Sequence, residues 1–211
     1  MPSRPTTWQT PACTSVSGLP TLRFLRDNAV AKNGDWTENR WASDIAFSDV
    51  PNVVYAVFEE TLYESRDAGC TWSARIAVPV NPDDPVATIA YVRAGSIYVY
   101  TRDKLWRVVK DAVTSAPLPE RLRTLVVDPH DPLHLRAVAA CGNAYESTDG
   151  GATWNRIGGI PDAITVYNVT FDPFDLNHAI AGVVSRTQRG VVITHDGGQT
   201  WTAPIRVNDG R

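Results

Sequence analysis

Short apolar runs recur along the chain and are broken by Pro, Asp, Asn and Gly. One stretch reads Asp44-Ile45-Ala46-Phe47-Ser48, a turn at Asp49-Val50-Pro51-Asn52, then Val53 to Phe58, then Thr61-Leu62-Tyr63-Glu64. A later one reads Leu125-Val126-Val127-Asp128-Pro129, Leu135 to Ala140 and Ala144-Tyr145-Glu146. The last reads Val169-Thr170-Phe171-Asp172-Pro173, Ala179 to Val184 and Val191-Val192-Ile193. Runs of about four to eight residues, rich in β-branched and aromatic side chains and bounded by turn residues, predict strands. No segment carries a convincing 3.6-residue apolar period with helix caps.

Each of these stretches ends in the same octapeptide. Ser65-Arg66-Asp67-Ala68-Gly69-Cys70-Thr71-Trp72, Ser147-Thr148-Asp149-Gly150-Gly151-Ala152-Thr153-Trp154 and Thr194-His195-Asp196-Gly197-Gly198-Gln199-Thr200-Trp201 share the pattern [ST]-x-D-x-G-x-T-W. An Asp in a tight turn accepts hydrogen bonds from backbone N–H groups just after it. The Gly supplies positive φ at little steric cost, and the Ser or Thr hydroxyl bonds locally. Thr-Trp re-enters a strand, where the indole fills a large apolar gap. The predicted unit is three strands, a turn anchored by Trp72, Trp154 or Trp201, and a fourth strand.

Asp67 and Asp149 stand 82 positions apart, and Asp149 and Asp196 stand 47 apart. The longer interval is two units of 41, so a degenerate unit lies between. It keeps Ile89 to Val92, Ser96 to Tyr100 and Leu105 to Val109, with Lys110-Asp111-Ala112-Val113 where the octapeptide is due. Units of about 40–50 residues match a four-stranded propeller blade. The expected architecture is all-β, a β-propeller or partial propeller of about four four-stranded blades at 43–80, 87–118, 122–160 and 165–206. Residues 1–42 form an irregular lead-in that could belong to an incomplete blade, and 207–211 a tail. An open arc of blades leaves sheet edges through which copies could associate.

Composition narrows function by exclusion. A net charge of −3 with scattered basic residues gives no electrostatic footing for nucleic acid. No stretch approaches the ~20 apolar residues of a membrane helix, and the N-terminus lacks a signal-peptide apolar run. The chain as written therefore reads as soluble, with its compartment open. Cys13, Cys70 and Cys141 are an odd number without CxxC spacing, which argues for free thiols rather than a disulfide framework or a zinc site. His130 and His134 are four apart in a Pro-broken loop, not on a helix, so no metal is expected, and no cofactor motif is present.

At the octapeptides the chain resembles the Asp-box (BNR-repeat) propellers, a group that includes sialidases, sortilin-type receptor domains, xyloglucanase-type glycosidases and photosystem II assembly-factor-like proteins. The resemblance covers about 43–206. It implies that Ser65, Asp67, Gly69, Ser147, Asp149, Gly151, Thr194, Asp196 and Gly198 are structural turn residues remote from any catalytic face. The Asp-Pro turns at Asp128-Pro129 and Asp172-Pro173 are more similar to the xyloglucanase and sortilin branch. The sialidase Arg-Ile-Pro signature is absent, and no set of three carboxylate-binding arginines can be assigned.

Two functional classes follow. In the first the chain is a non-catalytic binding or scaffold propeller that recognises a protein or a glycan. In the second it is a glycoside hydrolase-like enzyme, or a fragment of one. Xyloglucanase-type enzymes carry a catalytic Asp in the turn between the second and third strands of a blade. The matching turns here hold Glu59-Glu60 and Thr101-Arg102-Asp103-Lys104, so Asp103 with Glu59 or Glu60 is the catalytic set to examine. Such chemistry needs two carboxyl groups flanking the bond, about 5–10 Å apart. The matching turns Cys141-Gly142-Asn143 and Arg186 to Arg189 offer no carboxylate of their own. Sugars stack on exposed aromatic rings, which makes Trp36 and Trp41 of the lead-in the ligand-binding candidates.

Overall fold

The computed structural model describes residues 17, 44–58, 60–79, 87–91, 96–110, 112–186 and 188–206. Among the described residues fifteen strands form four antiparallel meanders, in which each strand pairs with its neighbour in sequence. Blade one is β1 (Asp44–Phe47), β2 (Val54–Phe58), β3 (Thr61–Ser65) and β4 (Ser73–Ala77). Blade two is β5 (Thr88–Tyr91), β6 (Ser96–Tyr100), β7 (Lys104–Val109) and β8 (Ala112–Pro117). Blade three is β9 (Leu122–Val127), β10 (Leu135–Ala139), β11 (Asn143–Ser147) and β12 (Asn155–Gly159). Blade four has three strands, β13 (Ala163–Phe171), β14 (Ala179–Ser185) and β15 (Arg189–Thr194). The fold is all-β, of the propeller type, with no helix among the described residues.

Blade four departs from the expected fourth strand. The chain after Trp201 pairs with β15 only in places: Thr202 N bonds Ile193 O at 2.9 Å, and Val191 and Ile205 exchange bonds of 3.0 and 2.8 Å. In blade two, where the octapeptide is due, Val109 pairs with Ala112 and Lys110 stands at φ 54°.

The chain divides into two compact units, Met1–Ile89 and Ala90–Arg211. In the first, Ser17 lies parallel to Thr71 through Ser17 N to Cys70 O (2.9 Å) and Trp72 N to Ser17 O (3.0 Å). In the second, blades two to four stack. Tyr98, Tyr100 and Leu105 of blade two share a core with Leu125, Leu135, Ala137 and Tyr145 of blade three. Val138 and Ala144, from the other face of blade three, share a second core with Val169, Phe171, Val183 and Trp201 of blade four. A strand with one apolar face needs one neighbour, whereas β10 is buried along its whole length because both its faces are covered.

The turns lock these stacks. Gly150 and Gly151, and likewise Gly197 and Gly198, have successive positive φ values. That path lays the turn flat against the preceding blade. A Cβ on Gly151 would lie 2.1 Å from Leu105 Cδ2, and one on Gly197 would lie 2.4 Å from Arg136 Nη1. The loop before each middle strand supports the turn behind it, with Gly150 N bonded to Leu133 O (2.9 Å) and Gly197 N to Asn177 O (2.8 Å). A Cβ on Gly69 (φ 98°) would meet, among the described residues, only Trp72 Cζ2, at 3.7 Å.

These environments separate two costs. Gly69→Ala pays the backbone term alone, about 1–2 kcal/mol. Gly151→Ala adds overpacking against Leu105 and is expected to lose about 2–4 kcal/mol. Equal losses in denaturant melts of the two variants would contradict the stacking described for blades two and three.

Candidate functional site

In an antiparallel meander the turns alternate between two ends of each blade, and the two ends differ in chemistry. One end carries the octapeptides, whose geometry repeats closely. Asp149 Oδ1 accepts from Ser147 Oγ (2.8 Å) and Thr153 N (2.9 Å), and its Oδ2 accepts from Thr153 Oγ1 (2.5 Å). Ser147 Oγ in turn accepts from Gly151 N at 2.8 Å. Asp67 bonds Ser65 and Thr71, and Asp196 bonds Thr194 and Thr200, in the same way at 2.6–2.9 Å. Ser65 and Thr194 likewise accept from Gly69 N and Gly198 N. Trp72 and Trp201 donate their indole N–H to Gly69 O (2.9 Å) and Gly198 O (3.2 Å), whereas Trp154 Nε1 is buried without a hydrogen-bond partner. The threonine hydroxyl, then its amide, holds each aspartate down to about 2. Three bonds tie each carboxylate into its own turn, so these groups are occupied rather than poised to react.

Polar groups behind the octapeptides tie blade three to blade four. His134 Nδ1 lies 2.9 Å from Asp128 Oδ2, and Nε2 lies 2.8 Å from Glu146 Oε1. Arg136 joins Glu146 through Nη2 (2.8 Å) and donates Nη1 to Gly197 O (3.0 Å). Both His134 nitrogens are thus committed, and among the described residues no group of three His, Cys, Asp or Glu side chains could hold a metal. A cleft of about 230 Å3 between β7–β8 and the second turn is lined by Arg107, Thr114, Ser115 and Asp149, among others. Its aspartate is already spent in the turn.

The opposite end carries the turns between second and third strands, where the sequence placed its catalytic candidates. Asp103 lies exposed on the β6–β7 turn, with Thr101 Oγ1 3.3 Å from its Oδ1. Glu60 lies exposed at φ 61° between β2 and β3, in the first unit, while Asp103 belongs to the second. Glu59, Trp36 and Trp41 lie outside the described residues.

The turn that read as lacking a carboxylate acquires one. Glu120, on the β8–β9 loop, accepts from Cys141 Sγ (2.7 Å) at Oε2 and from Asn143 Nδ2 and Tyr145 Oη (2.8 Å each) at Oε1. Burial pushes Glu120 upward, but the three donors outweigh it and hold the carboxyl below its ordinary value. Burial, then the Glu120 carboxylate, raises the Tyr145 hydroxyl to about 12 and also raises the Cys141 thiol. The same loop reaches the neighbouring turn, where Leu118 N bonds Asp103 O at 2.9 Å. Sequence reading missed Glu120 because its partners are 21 to 25 positions away, and only the stacking of blades two and three brings the loop back.

The cysteine expectation needs correction. Cys141 is free, but Cys70 is disulfide-bonded to a partner outside the described residues. Counting cysteines and looking for local spacing could not see this. The octapeptide turn carrying Cys70 pairs with Ser17, far away in sequence.

No family model matches the chain. Dispase autolysis-inducing protein of Streptomyces mobaraensis is 32% identical over 164 residues, which are 72% of this chain and 41% of that protein. The chain thus spans well under half the length of this relative. Among solved structures, YCF48 from Cyanidioschyzon merolae superposes with a TM-score of 0.61 at 18% identity, covering 80% of this chain and 56% of its own. The GH74 xyloglucanase from Xanthomonas campestris gives 0.55 at 18% identity, over 81% of this chain and 31% of its own. At that identity the two structures show a shared fold.

The depressed aspartates make acid sensitivity a readout of the turns. Their folded values near 2 lie below the ordinary 3.8, so they stabilise the fold above about pH 4. That contribution disappears as pH falls from about 4 to 2. The melting temperature of the wild-type chain is expected to fall steeply across this window. Asp67→Asn, Asp149→Asn and Asp196→Asn combined should start lower at pH 7 and fall less steeply. Parallel curves would show that these carboxylates do not govern acid stability.

Proposed function

We propose that the chain is a recognition propeller of the Asp-box (BNR) type that binds a protein through the second-to-third-strand turn end of its blades and has no catalytic pair of its own. The octapeptide spacing and the repeated Ser/Thr–Asp–Thr turns support the Asp-box assignment. The observation that carries the functional reading is the state of Glu120. A general acid for glycoside hydrolysis needs a raised carboxyl, and a nucleophile needs open lone pairs. Glu120 is lowered and accepts from three side chains. Such a group stiffens a surface and does not react. Beside it Arg102, Asp103 and Lys104 stand exposed on one turn and offer a charged contact.

The name of the Streptomyces relative points to a protein partner, because inducing autolysis of dispase means acting on a protease. Presenting loops to a protease requires rigid display and no chemistry of the chain's own. The test is to mix the purified chain with dispase and follow complex formation by size exclusion and loss of intact dispase by gel. Co-elution and faster loss are expected, with both weakened by the triple change Arg102→Ala, Asp103→Ala, Lys104→Ala. A protease that neither binds nor changes its autolysis rate would end the reading.

One observation favours a second reading as a glycosidase-like enzyme: Asp103 is exposed on the turn expected for a catalytic carboxyl, with the Glu120 loop bonded beside it. Release of reducing sugar from β-glucans that Asp103→Asn abolishes would establish it, and no release from the wild-type chain would remove it.

A further inference from the structure

We propose that the cleft between β7–β8 and the octapeptide turn of blade three binds a small monocarboxylic acid, with the carboxylate seated on Arg107.

The repeat shows what is unusual at this place. Arg107 stands opposite Tyr98 and Thr114 on the face of blade two that meets blade three. The corresponding residue of blade one is Glu64, opposite Tyr55 and Ser73. In blade three it is Glu146, opposite Arg136 and Asn155. Both glutamates have arginine partners, Arg66 and Arg75 for Glu64 and Arg136 for Glu146. Blade two reverses the charge and supplies no such partner. Arg107 Nε is buried without a hydrogen bond, and among the described residues no carboxylate pairs with the guanidinium. A buried donor without an acceptor is costly, so a ligand that brings one gains on binding.

Asp149 lines the same cleft but is not that acceptor. Its oxygens are taken by Ser147 and Thr153, just as those of Asp67 are taken by Ser65 and Thr71. The arginine stem is held under the turn. A Cβ on Gly150 would come within 3.0 Å of Tyr98 Oη and 3.3 Å of Arg107 Cδ, and Tyr98 Oη is itself fixed on Pro132 O at 2.8 Å. The cleft walls all belong to residues 105–152 of one compact unit, so they do not depend on where the chain begins or ends. Thr114, Ser115, Asp149 and Ala152 are exposed along them, which leaves the cleft open to solvent.

The lining selects the ligand. A guanidinium fork matches a carboxylate with two parallel bonds. The hydroxyls of Thr114 and Ser115 add donors, and Leu105 and Ala116 offer an apolar wall for a short stem. Arg107 balances one negative charge, and a dianion would bring an excess against the Asp149 carboxylate. The volume of about 230 Å3 lies below the about 300–1,000 Å3 of sites for drug-sized molecules, so the acid is small.

The test is a titration of the 15N-labelled chain with N-acetyl-leucine, followed by NMR. The Arg107 Nε–H resonance and the amides of Gly150 and Ala152 are expected to shift together and saturate in the millimolar range. N-acetyl-leucine amide, which lacks the carboxylate, should leave them unmoved. Arg107→Gln should abolish binding. Ala152→Gln should also block it by filling the cleft, and this variant will fold, because blade four carries Gln199 at the same place in its turn. Thermal melts of both variants check that the fold persists. No saturable shift in the wild-type chain would overturn the proposal. So would binding that survives Arg107→Gln, or equal binding of the amide or of inorganic phosphate.

Discussion

A middle strand buried on both faces is the constraint from which the rest of this structure follows. One sheet cannot satisfy such a strand alone, so β10 takes a neighbouring blade on each side. That requirement places Tyr98, Leu105, Leu135 and Tyr145 in one core and Val138, Phe171 and Trp201 in the next. It also dictates the glycine pairs, because a turn can lie against the preceding blade only where no Cβ intervenes. The aspartate then holds this otherwise unfavourable path with its two oxygens, so a polar group at the surface secures apolar packing beneath it.

The same division separates structure from function. At the octapeptide end Asp149 is engaged in its turn, and Asp128, His134, Glu146 and Arg136 in a chain that crosses from blade three to blade four. At the other end Glu120 is equally engaged, but Arg102, Asp103 and Lys104 face solvent on a turn braced from behind by Leu118. A rigid turn with exposed, mixed charges suits recognition. Saturated carboxylates do not suit acid–base chemistry.

The strands and turns were legible in the sequence because both rest on local physics. Alternating apolar runs such as Leu135 to Ala139 report burial directly, and Ser147-x-Asp149-x-Gly151-x-Thr153 closes within a few bonds. The polar clusters were not legible, since Glu120 and Tyr145 meet only after a loop and two strands have folded back. Blade four's incomplete last strand was also hidden. Trp201 and Thr200 announce a strand start, but Pro204 cannot donate to a ladder, and pairing with β15 is confined to Thr202 and Ile205.

The account stands on stacking as the source of order, and amide hydrogen exchange read by mass spectrometry tests it most directly. β14 alternates buried with half-exposed residues, whereas β6 and β10 are buried along their whole length. Peptides covering β14 are therefore expected to exchange faster than those covering β6 and β10. If β14 were protected as strongly as β10, burial by neighbouring blades would not be what holds these strands.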